Sequence, residues 1–199
     1  AKRIDSRATL ATIIFQSNQA EQHGGQSIPA FDFAMADGVL KTFKDKFIEQ
    51  LISIRKEDSS NISYIINKEV YSIKLLDKDI LNLRELLDIS SKDIKNALDI
   101  AFSITKKETH QAMEGFIHNL NTMHSRSGNQ VVFSSINYGT DYSPEGRMVI
   151  EEIMNATMEG LGDGETPIFP IQIFKVKEGL NFSIEDYTLA LNNWGKAER

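Results

Sequence analysis

The spacing of hydrophobic residues divides the chain into a helical first part and a mixed second part. Over the first part, apolar positions recur every three or four residues, the period at which side chains share one face of a helix. This repeat predicts helices over residues 6–22, 30–56 and 90–123. The expected buried face of the first helix is formed by Leu10, Ile13, Ile14 and Ser17. The last helix would be roughly 50 Å long at about 1.5 Å per residue, which is typical of a scaffold that crosses a larger body or pairs with another subunit.

Residues 57–89 carry a weaker signal. The polar EDSSN at 57–61 predicts a loop, and ISYIINKEVYSIKLL after it is rich in the isoleucine, tyrosine and valine that favour strands. The scarcity of glycine and proline favours a helix instead. We interpret this segment as a helical insertion, and a strand stays the alternative.

From residue 130 onward the pattern alternates between strand and helix. QVVFSSIN, at 130–137, predicts a strand. Ser143 followed by Pro144 is typical of a helix start, because serine caps free backbone N–H groups and proline suits the first turn. The nearly continuous apolar run IFPIQIFKV, at 168–176, predicts a strand that is covered on both faces.

These segments predict a β-α-β unit with two parallel strands, in which the glycine-rich GLGDGETP at 160–167 forms a turn. A short helix is expected over 186–196. Two parallel strands do not make a stable sheet, so we expect further strands from another chain or from sequence outside this one. The predicted fold class is α/β and helix-rich, a single incomplete unit with 1–123 mainly helical and 124–199 strand-helix-strand.

Composition and charge narrow the function classes. With 199 residues the chain forms one or two domains, and 41% hydrophobic and 25% charged residues are ordinary for a globular protein. The net charge of -6 argues against a nucleic-acid-binding surface. No apolar run approaches the roughly 18 residues of a membrane span, and the N-terminus lacks a signal-peptide layout. We therefore expect a cytoplasmic protein.

Cysteine is absent, which excludes disulfides, thiolate metal sites and thiol chemistry within this chain. The four histidines lie at positions 23, 110, 118 and 124. His110 and His118 would be roughly 80° apart around a helix and therefore not aligned. Because metal sites usually show tighter clusters of histidine, cysteine and carboxylate residues, the sequence predicts no metal site.

The motifs that resemble catalytic patterns lead to no catalytic assignment. GLGDGE precedes a strand, whereas a phosphate-binding turn precedes a helix N-terminus, and no nucleotide fingerprint accompanies it. Glu151 and Glu152 face different sides of a helix, so they do not form an acid–base pair. His124 has serines nearby, but the nucleophile pattern of serine hydrolases is missing.

The polar end of the strand at 130–137 is a stronger candidate for binding. In α/β sheets, ligands sit at the carboxyl ends of the strands. The side chains able to bind a polar ligand there are Ser134, Ser135, Asn137 and Thr140. A turn that closes the strand with the asparagine side chain is the alternative.

The loop HGGQSIP, at 23–29, also has two interpretations. Gly24 and Gly25 stop the preceding helix, because glycine adopts the left-handed conformation found at helix ends. Alternatively, the loop brings its backbone close to a ligand, with His23 and Gln26 beside it. The helix before it ends in a surface rich in glutamine and asparagine.

Three separated segments, in the same order, resemble the anaerobic (class III) ribonucleoside-triphosphate reductase family. They read QAEQHGGQSIPAFDF, HNLNTMHSRSGNQVVFSSINYGTDYSPEGRMV and GLGDGETPIFPIQIFKVKEG. The resemblance covers residues 1–50 and 108–196, and the middle of the chain carries no recognisable motif. Three motifs at matching distances are more specific than any single pattern above.

The resemblance implies an oxygen-sensitive glycyl-radical enzyme that makes deoxyribonucleotides from ribonucleoside triphosphates inside a ten-stranded α/β barrel. It implies a glycyl radical that passes to a cysteine, formate or another reductant, and zinc-binding cysteines towards the C-terminus. Its implied partners are a radical S-adenosylmethionine activase and a second copy of the chain. In such relatives, deoxynucleotide effectors bind at a helical dimer interface.

This chain departs from the family pattern, which places the active-site cysteines before Lys2 and after Arg199. The glycyl-radical loop and the ATP-binding domain are also outside it. We therefore interpret the chain as a piece of the catalytic subunit, inactive alone and without a cofactor of its own. The alternative is a helical scaffold or dimerisation module with no retained ligand site.

Two groups of site residues follow from the resemblance. The substrate-binding residues would be His124, Arg126, Ser134, Ser135 and Asn137. The effector-binding residues would be Gln16, Gln19, Gln22, His23, Gly24, Gly25 and Gln26. Arg126 suits a phosphate because its planar guanidinium group can bond two oxygens at once.

Overall fold

A computed structural model describes residues 2–22, 24–55, 59–122, 131–162, 164–177 and 180. Within these ranges the elements are α1 (Ile4–Glu21), β1 (Gln26–Ile28), α2 (Phe31–Arg55), α3 (Ser59–Glu69), α4 (Asp77–Leu87), α5 (Ser91–Thr122), β2 (Ser134–Tyr138), α6 (Pro144–Glu159) and β3 (Ile171–Phe174). The three long predicted helices and the β-α-β unit are confirmed. The helix expected over 186–196 lies outside the described residues.

From residue 59 onward, the segment at 57–89 is mostly helical, as favoured, but it forms two short helices joined by an irregular connection. The buried Ile62 and Ile66 lie four residues apart on α3, and the buried Leu83 and Leu87 lie four residues apart on α4. Each helix therefore buries one apolar face. The strand alternative is wrong because the isoleucines recur at helical spacing.

The strands form one parallel sheet in the order β1-β2-β3. β2 occupies the centre, and α6 connects it to β3. We expected all further strands to come from outside this sequence. That expectation was wrong, because the third strand, β1, lies within the predicted loop at 23–29. Its three residues are too few for an alternating pattern to be recognised.

β3 is not covered on both faces, so that prediction was wrong. It runs over only Ile171–Phe174, and Ile171 and Ile173 are 50% and 45% exposed. Gln172 between them points the other way, because alternate residues of a strand face opposite sides. The Gln172 Nε2 atom donates a hydrogen bond to Thr157 Oγ1 of α6. One face of the sheet therefore packs on helices. On the other, which we call the open face, none of the helices described above packs.

The core is centred on α5, which packs against α1, α2, α4 and α6. Its buried residues repeat at helical spacing and are Ile94, Ala97, Ala101, Thr105, Thr109, Ala112, Met113, Phe116, Ile117 and Leu120. Ser90 caps it, because its Oγ accepts a hydrogen bond of 3.2 Å from the N–H of Asp93. None of the helices in the described ranges has an apolar stretch long enough to span a bilayer.

α1 buries a different face from the one predicted. Leu10, Ile13 and Ile14 are 43%, 53% and 50% exposed. The buried apolar residues of this helix are Ile4, Ala8, Ala11 and Phe15. The small alanines let the neighbouring helices approach closely, and the larger apolar side chains are left on the outside. We call Leu10, Ile13 and Ile14 the α1 outer stripe.

Candidate functional site

The side chains of β2 alternate between the two faces of the sheet. Ser134, Ile136 and Tyr138 are buried on the helix-packed side, whereas Ser135 and Asn137 are half-buried on the open face. The Ser134 hydroxyl lies 3.2 Å from the Val132 carbonyl oxygen, to which it donates. The structure therefore brings Ser135 and Asn137 together and separates them from Ser134.

The open face combines polar and apolar side chains in a short strip. The strand register places Ser27 of β1 beside Ser135, and Ser135 beside Ile171 of β3. Asn137 lies beside Ile173 in the same way. The Asn137 Oδ1 atom is buried and has no hydrogen-bond partner among the residues that the structure describes. Because a buried polar atom is normally bonded, this oxygen is a candidate for binding a donor on a ligand.

A buried carboxylate holds the turn that follows β2. Asp32 is fully buried at the start of α2, and its Oδ2 atom accepts hydrogen bonds from three consecutive backbone N–H groups. These belong to Gly139, Thr140 and Asp141, at 2.8, 3.0 and 2.9 Å. The bonds fix the carboxyl end of β2, where ligands bind in α/β sheets.

Asp32 was missed from the sequence. An aspartate in the first turn of a helix has an ordinary role there, because it interacts favourably with the helix dipole. Only the packing of α2 beside β2 brings it to residues more than 100 positions away. The single signal in the sequence is the motif AFDF, which the family resemblance included.

The turn continues into α6 through a second set of hydrogen bonds. Asp141 Oδ1 accepts from the N–H of Ser143 at 2.9 Å, and Ser143 Oγ accepts from the N–H of Gly146 at 3.0 Å. This confirms the predicted cap of α6. Glu145, which is buried, accepts from the N–H of Ile73 at 2.6 Å. The strand end, α6 and the connection between α3 and α4 are thus tied together.

Tyr138 completes the helix-packed side of the strand end. Its hydroxyl donates a hydrogen bond of 2.6 Å to Gln172 Oε1 on β3. Burial raises the pKa of Tyr138, and the nearby Asp32 carboxylate raises it further. The phenol therefore stays neutral and serves as a donor between two strands.

Two of the predicted effector residues are used for internal contacts. Gln26 Nε2 donates to the Phe15 carbonyl oxygen at 2.8 Å and lies 3.4 Å from Gln19 Oε1. Gln19 is buried, with 6% of its surface exposed. These contacts attach the end of α1 to β1. Gln16 is half-buried, and its Nε2 atom is buried and finds no hydrogen-bond partner in the described ranges.

An open groove of about 580 Å³ lies between α1, β1 and α2. Three of the predicted effector residues line it, namely Gln22, Gly25 and Gln26. Leu10 and Ile14 of the α1 outer stripe form its apolar edge. Gln16, Gln19 and Gly24 do not line this groove, although Gly24 has the positive φ of +105° expected at a helix end.

Three predicted site residues fall outside the described part of the chain. His124 and Arg126 precede β2 in the sequence, and His23 precedes β1. Their assignment therefore continues to depend on the sequence alone.

The comparisons with known proteins agree with the sequence motifs. A family model described as anaerobic ribonucleoside-triphosphate reductase matches residues 1–197. Proteins of that name are similar to the chain in Enterobacteria phage T4, with 35% identity over 104 residues, in Escherichia coli K12, with 33% over 90, and in Salmonella typhimurium, with 32% over 94.

The matched stretches cover 52%, 45% and 47% of this chain, in the same order, and only 17%, 12% and 13% of the relatives. The chain therefore corresponds to a small part of each of these relatives. The family model, in contrast, extends over almost every residue of the chain. The chain belongs to the anaerobic ribonucleoside-triphosphate reductase family.

Proposed function

We propose that this chain is part of the catalytic subunit of an anaerobic reductase that makes deoxyribonucleotides from ribonucleoside triphosphates by glycyl and thiyl radical chemistry. The match of the family model over residues 1–197 carries the proposal. The chain contains no cysteine, so it supplies no thiyl group itself. The radical, the reductant and the activase contact belong to other parts of the assembly, and the isolated chain is inactive.

The three-stranded sheet is proposed to form one sector of a ten-stranded α/β barrel. Helices cover one face of the sheet, while the open face carries Ser135, Asn137, Ile171 and Ile173. Helices outside and side chains inside are the arrangement of a closed α/β barrel. In this arrangement the open face lines the interior, where the nucleotide binds.

Ser135 and Asn137 are the substrate-binding residues that the geometry supports best. They share the open face, and within the described part of the chain the Asn137 Oδ1 atom has no hydrogen-bond partner. Asp32 holds the turn directly after them and is proposed as a positioning residue. Ser134 faces the helices, so we leave it out of the proposed site. His124 and Arg126 are retained from the sequence as contacts to the triphosphate.

Replacing Asn137 with alanine should weaken ribonucleoside triphosphate binding by about fivefold to tenfold, the equivalent of one hydrogen bond of about 1–1.4 kcal/mol. Isothermal titration of the chain with ATP, CTP, GTP and UTP in the presence of Mg²⁺ measures the dissociation constants. Ser135→Ala should weaken binding in the same direction.

Ser134→Ala is the matched control, because it removes the same hydroxyl group from the neighbouring position on the opposite face. Its dissociation constants should equal those of the unmodified chain. Absence of saturable binding by the folded chain would contradict a substrate site on the open face, and so would an equal loss in Ser134→Ala and Ser135→Ala.

α1 is proposed to pair with a second copy of the chain, with a deoxynucleotide effector bound beside the contact. The α1 outer stripe is half-exposed, and apolar patches of this kind mark interaction surfaces. The groove lined by Gln22, Gly25 and Gln26 lies directly beside the stripe. Amide groups in such a groove can bond the edges of a base. On α1, the Gln16 Nε2 atom has no partner among the described residues.

Replacing Ile13 with glutamate should raise the dimer dissociation constant more than about tenfold, because burying one isoleucine contributes about 1.5–3 kcal/mol. Sedimentation equilibrium of the chain, with and without dATP, dGTP or dTTP, measures the change. Deoxynucleotide binding should weaken in parallel.

Leu86→Glu on α4 is the matched control, since Leu86 is 44% exposed and lies outside α1. It should leave both self-association and effector binding unchanged. A monomeric unmodified chain, or equal behaviour of the Ile13 and Leu86 variants, would refute pairing through α1.

The alternative function is a dimerisation scaffold without a ligand site. The internal hydrogen bonds of Gln19 and Gln26 favour it, because these amides are already occupied. The two experiments separate the alternatives. A chain that dimerises through α1 but binds neither ribonucleotides nor deoxynucleotides is a scaffold.

A further inference from the structure

A histidine and two glutamates meet on the surface of the α5–α6 pair, away from the open face of the sheet. His110 and Glu114 are one turn apart on α5, and Glu159 is the last residue of α6. The His110 Nε2 atom lies 3.0 Å from Glu159 Oε2 and 3.6 Å from Glu114 Oε1. The three atoms lie within 4.8 Å of one another.

A fourth carboxylate contacts the other nitrogen of the same ring. Glu152 of α6 is only 2% exposed, and its Oε2 atom lies 2.9 Å from His110 Nδ1. Its Oε1 atom is 3.5 Å from Lys106 Nζ. The buried Glu152 carboxylate therefore lies between the Lys106 ammonium group and the His110 ring.

The contact between Glu152 and Nδ1 decides what the ring can do on its exposed side. When Nδ1 carries the proton and donates it to Glu152, the lone pair of Nε2 points towards Glu114 and Glu159. A histidine that binds a metal commonly donates its other N–H to a carboxylate, which fixes the ring and raises its basicity. Glu152 has this relation to His110.

We propose that His110, Glu114 and Glu159 bind a divalent transition-metal cation of the Zn²⁺ type, with Glu152 as the supporting carboxylate. In a tetrahedral site with bonds of about 2.0–2.1 Å, neighbouring ligand atoms are about 3.3 Å apart. The distances from Nε2, 3.0 and 3.6 Å, lie on either side of this value. A nitrogen ligand with carboxylate oxygens suits Zn²⁺ better than Mg²⁺, which prefers oxygen alone.

The surroundings of the ring favour a cation. The carboxylates of Glu114, Glu152 and Glu159 all lie within 3.6 Å of a nitrogen of the His110 ring. The same carboxylates attract a metal ion that replaces the proton on Nε2. Glu114 and Glu159 have 48% and 59% of their side-chain surfaces exposed, so an ion reaches the site from solvent.

A bound ion would join the middle of α5 to the end of α6. α6 leads from the turn held by Asp32 to β3, so its position helps to set the spacing of the strands. The ion would therefore act as a structural cross-link behind the sheet. It would be separate from any metal bound by cysteines, since this chain has none.

Titration of the metal-free chain with Zn²⁺ tests the proposal directly, and it does not depend on reductase activity. We expect saturable binding of one ion per chain and a rise in melting temperature with Zn²⁺ concentration, because a ligand that binds the folded state stabilises it. Co²⁺ should give the visible absorption of a site with nitrogen and oxygen ligands. Mg²⁺ in excess should not displace either ion.

Glu159→Gln and Glu114→Gln are the decisive variants, because both side chains are exposed and their removal should leave the fold intact. Each should weaken Zn²⁺ binding by more than about tenfold, since even outer carboxylate partners contribute 10–100-fold to affinity. Circular dichroism verifies folding. His118→Ala is the matched control, because it removes an exposed histidine two turns further along α5.

His118→Ala should bind Zn²⁺ as the unmodified chain does. The absence of saturable binding by the folded chain would overturn the proposal. Binding that survives both glutamine substitutions unchanged, or that is lost in His118→Ala, would overturn it as well, because the ion would then lie elsewhere.

Discussion

Replacing Asp32 with alanine should lower the free energy of unfolding by about 4 kcal/mol, because three buried backbone N–H groups lose their acceptor at about 1–3 kcal/mol each. The carboxylate is fully buried and accepts all three bonds on one oxygen. Alanine provides no acceptor, and two of the three residues whose N–H groups would lose it, Gly139 and Asp141, are buried. Urea denaturation followed by circular dichroism measures the change.

Two variants separate the hydrogen bonds from general effects on α2. Asp32→Asn keeps an oxygen acceptor but loses the charge, so it should cost less than the alanine variant. Asp37→Ala removes an exposed carboxylate of the same helix whose ion pair with Arg7 is 3.4 Å long. It should cost less than about 1 kcal/mol, as exposed ion pairs do. Equal effects of Asp32→Ala and Asp37→Ala would refute the role given to Asp32.

Loss of Asp32 should also weaken ribonucleotide binding in any variant that stays folded. Asp32 does not lie on the open face, and its effect passes through the turn at 139–141 that closes the strand carrying Ser135 and Asn137. Asp32→Asn, which retains an acceptor, is the suitable variant for the titration. This places Asp32 among the positioning residues of the proposed site.

Local features of the sequence were sufficient for the helices. Apolar residues that recur every three or four positions predict a helix over 90–123, and α5 runs from Ser91 to Thr122. Ser143 and Pro144 define the start of α6 through bonds between neighbours in sequence. The β-α-β unit follows from the same local patterns, because a strand, a helix and a strand in succession favour a parallel right-handed connection.

Features that depend on distant residues could not be predicted in this way. The burial of α1 is decided by which face fits its neighbours, and the alanines pack inside although Leu10, Ile13 and Ile14 are more hydrophobic. β1 is a strand because β2 pairs with it. The burial of β3 depends on which other elements pack against it. The apolar run at 168–176 therefore did not determine whether both faces are buried.

In the candidate site, too, local features were predicted and contacts between distant residues were missed. The sequence placed polar residues at the end of β2 but grouped Ser134 with Ser135, because the exact register of a strand decides which side chains share a face. The His110 cluster was missed because Glu159 comes from another helix, 49 positions away. Spacing between histidines contains no information about such a partner.

Gly139 is the second position at which a small change should have a large effect. Its φ is +112°, and a Cβ added there would lie 2.8 Å from the Lys175 carbonyl oxygen and 3.1 Å from the Lys175 nitrogen. That nitrogen donates a hydrogen bond of 2.7 Å to the Tyr138 carbonyl oxygen, which extends the pairing of β2 with β3. Because the obstruction is backbone, it cannot be relieved by the rotation of a side chain.

Gly139→Ala should therefore destabilise the protein by about 2–6 kcal/mol, the sum of backbone strain of about 1–3 kcal/mol and a steric conflict of about 1–3 kcal/mol. Gly162→Ala isolates the first contribution, since Gly162 has a φ of +99° but no atom within 4 Å of an added Cβ. We expect urea denaturation to show a cost at least about 1 kcal/mol larger for Gly139→Ala, the minimum for the steric conflict. Equal costs would mean that the end of β3 moves freely away from β2, and β3 would then be too loosely held to shape a binding site beside Asn137.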